Sequence, residues 1–145
     1  MNTSNLEHTP ARPGIMQTVF RLMLGATLLF TGTSHLTWAR TEFRAQVPRW
    51  LPLSADLVVV ASGFIEIALG GALVALQRRR TTVGWIVAAF FGAIFPGNIS
   101  QYVNHVDAFG LDTDWARALR LLFQPLLVLW STGAWQVWRK SRRSQ

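Results

Sequence analysis

Four long apolar stretches constrain this chain more than any other feature of its sequence. They cover residues 15–36, 55–76, 82–103 and 118–137, with only a few polar groups inside each. An α-helix needs about 20 such residues to cross a hydrocarbon core about 30 Å thick. Only helices and closed barrels satisfy their backbone hydrogen bonds in lipid, and a barrel strand would alternate polar and apolar residues. The runs are continuous, so they predict membrane-spanning helices.

A soluble four-helix bundle is the competing interpretation, and the distribution of charge argues against it. Charged residues make up 14% of the 145 residues, whereas hydrophobic residues make up 50%. Soluble helices carry a charged stripe on the outer face. Segment 57–76 has a single charged residue and segment 81–106 has none. The predicted fold class is therefore an all-α integral membrane protein, a bundle of four helices.

The chain has a net charge of +7, and many of its basic residues cluster beside the spans. This placement is typical of residues that set membrane topology rather than of a nucleic-acid-binding surface. Four spans put both termini and the turn at 78–80 on one side. Eight basic residues then lie on that side and five on the other. The positive-inside rule predicts cytoplasmic termini, and a bacterial inner membrane is the expected location. The eight residues are Arg12, Arg78, Arg79, Arg80, Arg139, Lys140, Arg142 and Arg143.

The segments outside the spans are short. Residues 1–14 are expected to be a disordered lead, and they lack the charged and then apolar arrangement of a signal peptide. Residues 139–145 are expected to be a basic cytoplasmic tail. The domain between them is 15–138. In the connection between spans one and two, Phe43, Val47, Trp50 and Leu51 have helical spacing. This connection is either a short interfacial helix or a loop anchored by its tryptophans.

Strong polar residues recur on one helical face of each span. At about 3.6 residues per turn, the polar face of each span can point toward a common interior. Pro96 and Pro125 free backbone carbonyls beside two of the polar residues, and these kinks can open a cavity between the helices. The polar residues are Arg21 and His35, Glu66, Asn98, and Arg120 and Gln124.

Glu66 is the deepest of these groups, about 14 Å below the start of its helix. An isolated charge there is costly, so the carboxyl group must be protonated or paired. Two interpretations stay open for each polar residue. Glu66 either bonds a neighbouring helix or handles a ligand or proton. Asn98 and Gln124 either join helices or contact a ligand. His35 either caps its helix or contacts a ligand. Arg120 either reaches the membrane interface or contacts a ligand.

Five short segments together resemble the DoxX-like family of small four-helix membrane proteins. They are LLFTGTSHL (28–36), VPRWLP (47–52), SGFIEIALGG (62–71), FPGNI (95–99) and RLLFQP (120–125). The resemblance covers about residues 16–138. It implies an inner-membrane bundle, and some members of the family are subunits of thiosulfate:quinone oxidoreductase or of redox-linked membrane complexes. The chain has no cysteine, so thiol-based chemistry is not expected.

These observations lead to a first functional hypothesis, a redox-associated subunit that binds a quinone or another lipophilic small molecule. Glu66 would handle a proton, while His35, Asn98, Arg120 and Gln124 would bind the polar head. No metal or covalent cofactor is indicated. A partner oxidoreductase subunit would complete the assembly, and the sequence leaves open whether this chain is itself an enzyme. The alternative is a non-catalytic scaffold or assembly factor. A small transporter ranks third, because inverted repeats are not evident.

Overall fold

The computed structural model describes residues 14–108, 110 and 112–132. Within them the chain is all-helical, as predicted, with no strand. A 3-10 turn at Gln77–Arg79 joins the third helix to the fourth. The α-helices are α1 (Ile15–Leu36), α2 (Arg40–Gln46), α3 (Ala55–Ala75), α4 (Arg80–Val103) and α5 (Asp114–Thr132).

Three of the described helical segments are long and apolar enough to cross a membrane: Ile15–Leu36, Ala55–Ala75 and Gln77–Val103. They correspond to the first three predicted spans. Helix α5 begins at Asp114, four residues before the predicted fourth span. The hydroxyl group of Thr113 accepts from the backbone N–H of Ala116, so the helix starts on polar residues that precede the apolar run. Residues 133–137 of that span lie outside the described residues, as do the predicted lead up to residue 13 and the predicted tail.

The surface of the helices is apolar and part of the interior is polar. Phe30, Phe64, Trp85 and Leu122 are each more than 60% exposed. Glu66, by contrast, is only 5% exposed. A soluble protein rarely exposes large apolar patches or buries such groups. The chain therefore has the surface of a membrane protein.

Helices α1 and α3 cross through two pairs of glycines. A Cβ atom at Gly70 would lie 2.7 Å from the carbonyl oxygen of Gly25, and one at Gly32 would lie 2.7 Å from that of Gly63. Lipid removes most of the hydrophobic force between helices, so close van der Waals packing over small residues holds them together. The glycines at these four positions set the distance between α1 and α3.

Helices α4 and α5 form the second close pair. A Cβ atom at Gly84 would collide with the backbone carbonyl of Ser131. An edge-to-face contact between Phe20 and Trp130, with ring centroids 5.5 Å apart, joins α1 to α5. The apolar core lies in the half of the protein near the 3-10 turn. It comprises Leu24, Leu28, Leu73, Val83, Val87 and Phe91.

Two arginines fasten opposite ends of the structure. Nη1 of Arg21 donates to the carbonyl of Leu73, 2.6 Å away, near the end of α3. At the other end Arg40 donates through Nε and Nη2 to the two carboxylate oxygens of Asp56, at 2.8 and 2.5 Å. This bidentate bond, together with the negative charge of Asp56, raises the pKa of Arg40.

The connection between α1 and α3 contains a short helix, but of the four residues whose spacing suggested one it includes only Phe43. Helix α2 ends at Gln46, just before Pro48, whose ring cannot continue a helix. Val47, Trp50 and Leu51 follow the helix rather than extend it. The segment crosses the end of the protein opposite the 3-10 turn.

Two neighbouring glycines of α3 allow a matched test of the close crossing. Gly70→Ala places a methyl group against the backbone of Gly25, whereas Gly71→Ala meets nothing within 4 Å. We expect Gly70→Ala to lower the free energy of unfolding by about 1–3 kcal/mol through overpacking. Gly71→Ala should leave it unchanged or raise it by up to about 1 kcal/mol. Denaturant unfolding in detergent, followed by circular dichroism, measures both. Equal effects would contradict the assigned crossing.

Candidate functional site

A cavity of about 420 Å³ lies in the half of the protein that α2 covers. All five α-helices and the segment after α2 contribute to its lining. The structure brings together every candidate site residue named from the sequence: His35, Glu66, Asn98, Arg120 and Gln124 all line it. Arg21 lies outside the lining, beside the end of α3.

His35 and Glu66 meet between α1 and α3. Nδ1 of His35 lies 3.3 Å from Oε2 of Glu66 and 2.8 Å from the carbonyl oxygen of Thr31. A carbonyl only accepts, so the hydrogen on Nδ1 is directed to Thr31. Among the described residues, Oε2 of Glu66 has no hydrogen-bond partner. A residue that lines the cavity therefore has one buried carboxyl oxygen without a partner.

The glycine crossing explains why this pair is close. Gly63 lies one helical turn before Glu66, and a Cβ atom there would lie 2.9 Å from Cβ of His35. Any larger residue at position 63 would push α1 and His35 away. The imidazole ring is fixed on its other side by Phe43 of α2, which stacks on it with ring centroids 3.3 Å apart and an interplanar angle of 17°.

Asn98 and Gln124 bond to each other across α4 and α5. Nδ2 of Asn98 donates to Oε1 of Gln124 at 2.9 Å, and Nε2 of Gln124 donates to the carbonyl of Phe91 at 2.7 Å. Both side chains are buried. Pro96 lies inside α4 and has no backbone N–H, so the carbonyl of Gly92 lacks its helical donor. Phe91 is the residue immediately before Gly92. The two amides thus hold the part of α4 around Pro96 against α5.

Arg120 connects α5 to two other helices. Its Nη1 donates to Oε1 of Gln101 on α4 at 3.1 Å, and its Nη2 donates to Oε1 of Gln46 on α2 at 2.7 Å. A guanidinium has no acceptor, so both glutamine oxygens must face it. Its position holds α2 over the cavity.

The remaining walls of the cavity are largely apolar. Leu28, Val59 and Ile94 contribute aliphatic surface, and Trp50 and Phe123 contribute aromatic surface. Cavities of roughly 300–1,000 Å³ with mostly apolar walls and a few placed polar groups are typical of small-molecule sites. This one suits a molecule with an apolar body and one or two polar groups.

Gln46, Gln101 and Phe43 were not predicted as site residues. Gln46 is the last residue of the short helix α2 and makes its contact far from its neighbours in sequence. Gln101 lies on α4, one turn beyond Asn98, and is only 2% exposed. The buried polar face of α4 therefore extends beyond Asn98, the one residue of this helix that was predicted to belong to the site. The aromatic spacing in 43–51 was the only signal for Phe43.

Metal ligands do not cluster in the part of the chain that the structure describes. No group of three or more His, Asp or Glu side chains comes close enough there to hold a metal ion. The polar side chains that line the cavity carry an imidazole, carboxyl and amide groups, a guanidinium and three hydroxyl groups, those of Thr27, Thr31 and Ser62.

Together the apolar surface, the buried polar groups and the cavity define a helical membrane protein with an internal polar pocket. The chain belongs to the family described as "Domain of unknown function (DUF8561)", whose model matches residues 24–137. The match covers every residue that lines the cavity. Neither a curated protein nor a solved structure matches the sequence.

The contact between Arg120 and Gln46 predicts how firmly α2 is held. Arg120→Met removes the donors to Gln46 and Gln101 and should release α2. We expect amide hydrogen exchange in 40–46 to become about tenfold faster, the equivalent of losing about 1.4 kcal/mol of protection. Arg49→Met removes an exposed arginine near the same helix and should change nothing. Hydrogen–deuterium exchange with mass spectrometry measures both variants, and unchanged protection of 40–46 in Arg120→Met would contradict the contact.

Proposed function

We propose that the protein is a four-span inner-membrane subunit that binds a quinone, or a closely similar lipophile, in the cavity between its helices. The observation that carries the proposal is the cavity itself, where an apolar space of about 420 Å³ contains a buried carboxyl group next to an imidazole. A quinone has an apolar tail, a flat ring and oxygen atoms that exchange protons with a nearby acid or base.

Each group has a role in this proposal. Glu66 exchanges the proton that accompanies reduction or oxidation of the bound molecule, and His35 lies beside it with its ring fixed by Thr31 and Phe43. Arg120 orients the polar head indirectly, by holding Gln46. Asn98 and Gln124 keep the walls in place and present their amides to the cavity. The bound molecule would exchange electrons with a partner oxidoreductase subunit.

The topology completes the proposal. Helix α5 is the fourth span, and both termini lie in the cytoplasm together with Arg78, Arg79 and Arg80. The charge bias between the two sides supports this orientation. The cavity then opens toward the external half of the bilayer. The resemblance to DoxX-like proteins, some of which belong to quinone-linked complexes, points to the same class of partner.

A scaffold without a ligand is the second candidate function, and one observation favours it. Asn98, Gln124 and the Phe91 carbonyl satisfy one another, as expected for groups that only join helices. In that case the cavity would stay empty and the external connections would hold a partner protein. The two candidates differ in whether Glu66 affects ligand binding or only stability.

Replacement of one carboxyl group tests the site. Glu66→Gln keeps the shape of the side chain and removes its charge and its proton exchange. We expect the affinity for a short-chain benzohydroquinone to fall roughly tenfold, because hydrogen bonds to charged groups contribute about 1.5–3 kcal/mol. Glu42→Gln makes the same change on α2 outside the cavity lining and should have no effect. Equilibrium binding in lipid nanodiscs measures both variants.

Thermal unfolding of the same variants separates the two candidates. If Glu66→Gln leaves binding of the reduced and oxidised forms unchanged but lowers the unfolding temperature, the carboxyl group is structural and the scaffold is favoured. If binding changes while the unfolding temperature of the empty protein does not, the quinone site is supported.

A further inference from the structure

Four buried polar atoms have no hydrogen-bond partner among the described residues. They are Nε2 of Gln46, Oε2 of Glu66, Nε of Arg117 and Nε1 of Trp130. Arg117 and Trp130 lie outside the cavity lining, whereas Gln46 and Glu66 both belong to it. Buried polar groups are nearly always paired, so an unpaired donor and an unpaired acceptor in one cavity indicate what its occupant must supply.

Gln46 presents a donor. The two ends of a glutamine amide have opposite roles, because the oxygen accepts hydrogen bonds and the nitrogen donates them. Here the neighbour is Arg120, which can only donate, so the amide oxygen faces the guanidinium at 2.7 Å. Nε2 is left as a donor on the opposite side of the amide. An occupant must place an acceptor oxygen there.

Glu66 presents an acceptor. The hydrogen on Nδ1 of His35 is directed to Thr31, and Nδ1 lies only 3.3 Å from Oε2 of Glu66. With an N–H group so close, Oε2 is placed to accept a hydrogen bond rather than to donate one. An occupant must therefore offer a hydrogen-bond donor to Glu66. A carbonyl oxygen cannot do so, whereas a hydroxyl group can.

The walls favour an aromatic ring between these two groups. Phe43 holds the imidazole ring flat on the side of α2, and Trp50, Phe91 and Phe123 contribute further aromatic surface. Flat rings pack well against such side chains. A ring with oxygen substituents could satisfy the two unpaired groups from its edges.

We infer that the cavity selects the reduced, hydroxyl-bearing form of its ligand, a hydroquinone over the corresponding quinone, through the acceptor Oε2 of Glu66 and the donor Nε2 of Gln46. This inference rests on the proposed function and adds two things to it. It states which redox form the resting site binds, and it assigns Gln46 as a residue that determines specificity.

Three related probes test the selection in the full-length protein in nanodiscs, under anaerobic conditions. They are a benzohydroquinone with one isoprenoid unit, the matching benzoquinone, and the bis-methyl ether of the hydroquinone, which has no hydroxyl donor. We expect the hydroquinone to bind about tenfold more tightly than the quinone, and the ether to bind no better than the quinone. Glu66→Gln replaces an acceptor with an amide and should abolish the preference.

Gln46→Glu tests the second contact, because it keeps an acceptor for Arg120 and removes the donor toward the cavity. Hydroquinone binding should weaken roughly fivefold. Gln17→Glu is the control, since Gln17 lies outside the cavity lining and a glutamate there still accepts from the backbone N–H of Gly14. Its hydroquinone affinity should match that of the wild type.

The outcomes separate this inference from the proposed function. Saturable binding of the quinone with equal or higher affinity than the hydroquinone would overturn the selection and leave the quinone site standing. Equal affinities of Gln46→Glu and Gln17→Glu for the hydroquinone would overturn the role of Gln46. No saturable binding of any of the three probes would overturn both the selection and the proposed quinone site.

Discussion

The guanidinium of Arg120 is the interaction on which the cavity depends. It bonds to Gln46 and Gln101 and so connects α5 to α2 and α4. A charged group within a largely apolar structure needs such partners, because each unpaired polar group in lipid costs free energy. The same bonds fix the orientation of both glutamine amides. One arginine therefore holds the cover of the cavity and leaves Nε2 of Gln46 as the unpaired atom of that amide.

The two halves of the protein are held together by different forces. Near the 3-10 turn, apolar side chains such as Leu28 and Val87 fill the space between the helices. Near α2, the glycines bring α1 and α3 so close that His35 and Glu66 meet, while the amides of Asn98 and Gln124 hold α4 and α5. Close packing in one half and paired polar groups in the other leave a defined cavity where the polar pairing is incomplete.

Much of this arrangement could be predicted from the sequence, because the main signal is periodic. Helical spacing on apolar spans indicated that His35, Glu66, Asn98, Arg120 and Gln124 share an interior, and the structure places all five around one cavity. The helical content was also predicted, and three of the four predicted spans correspond to helices long and apolar enough to cross a membrane. Gln46 was not, since its role depends on a contact with a residue distant in sequence. Whether residues 40–46 are helical could not be decided from the sequence, because so short a segment has little intrinsic preference.

The central claim is that a lipophilic molecule occupies the cavity, and mass spectrometry of an organic extract tests it most directly. The wild type and Ser62→Trp, whose indole would fill the space beside Glu66, are purified gently in parallel with a mock preparation. The account predicts a quinone or similar aromatic lipophile enriched in the wild type and absent from Ser62→Trp. Equal amounts in the folded variant and the wild type, or none above the mock preparation in either, would contradict it.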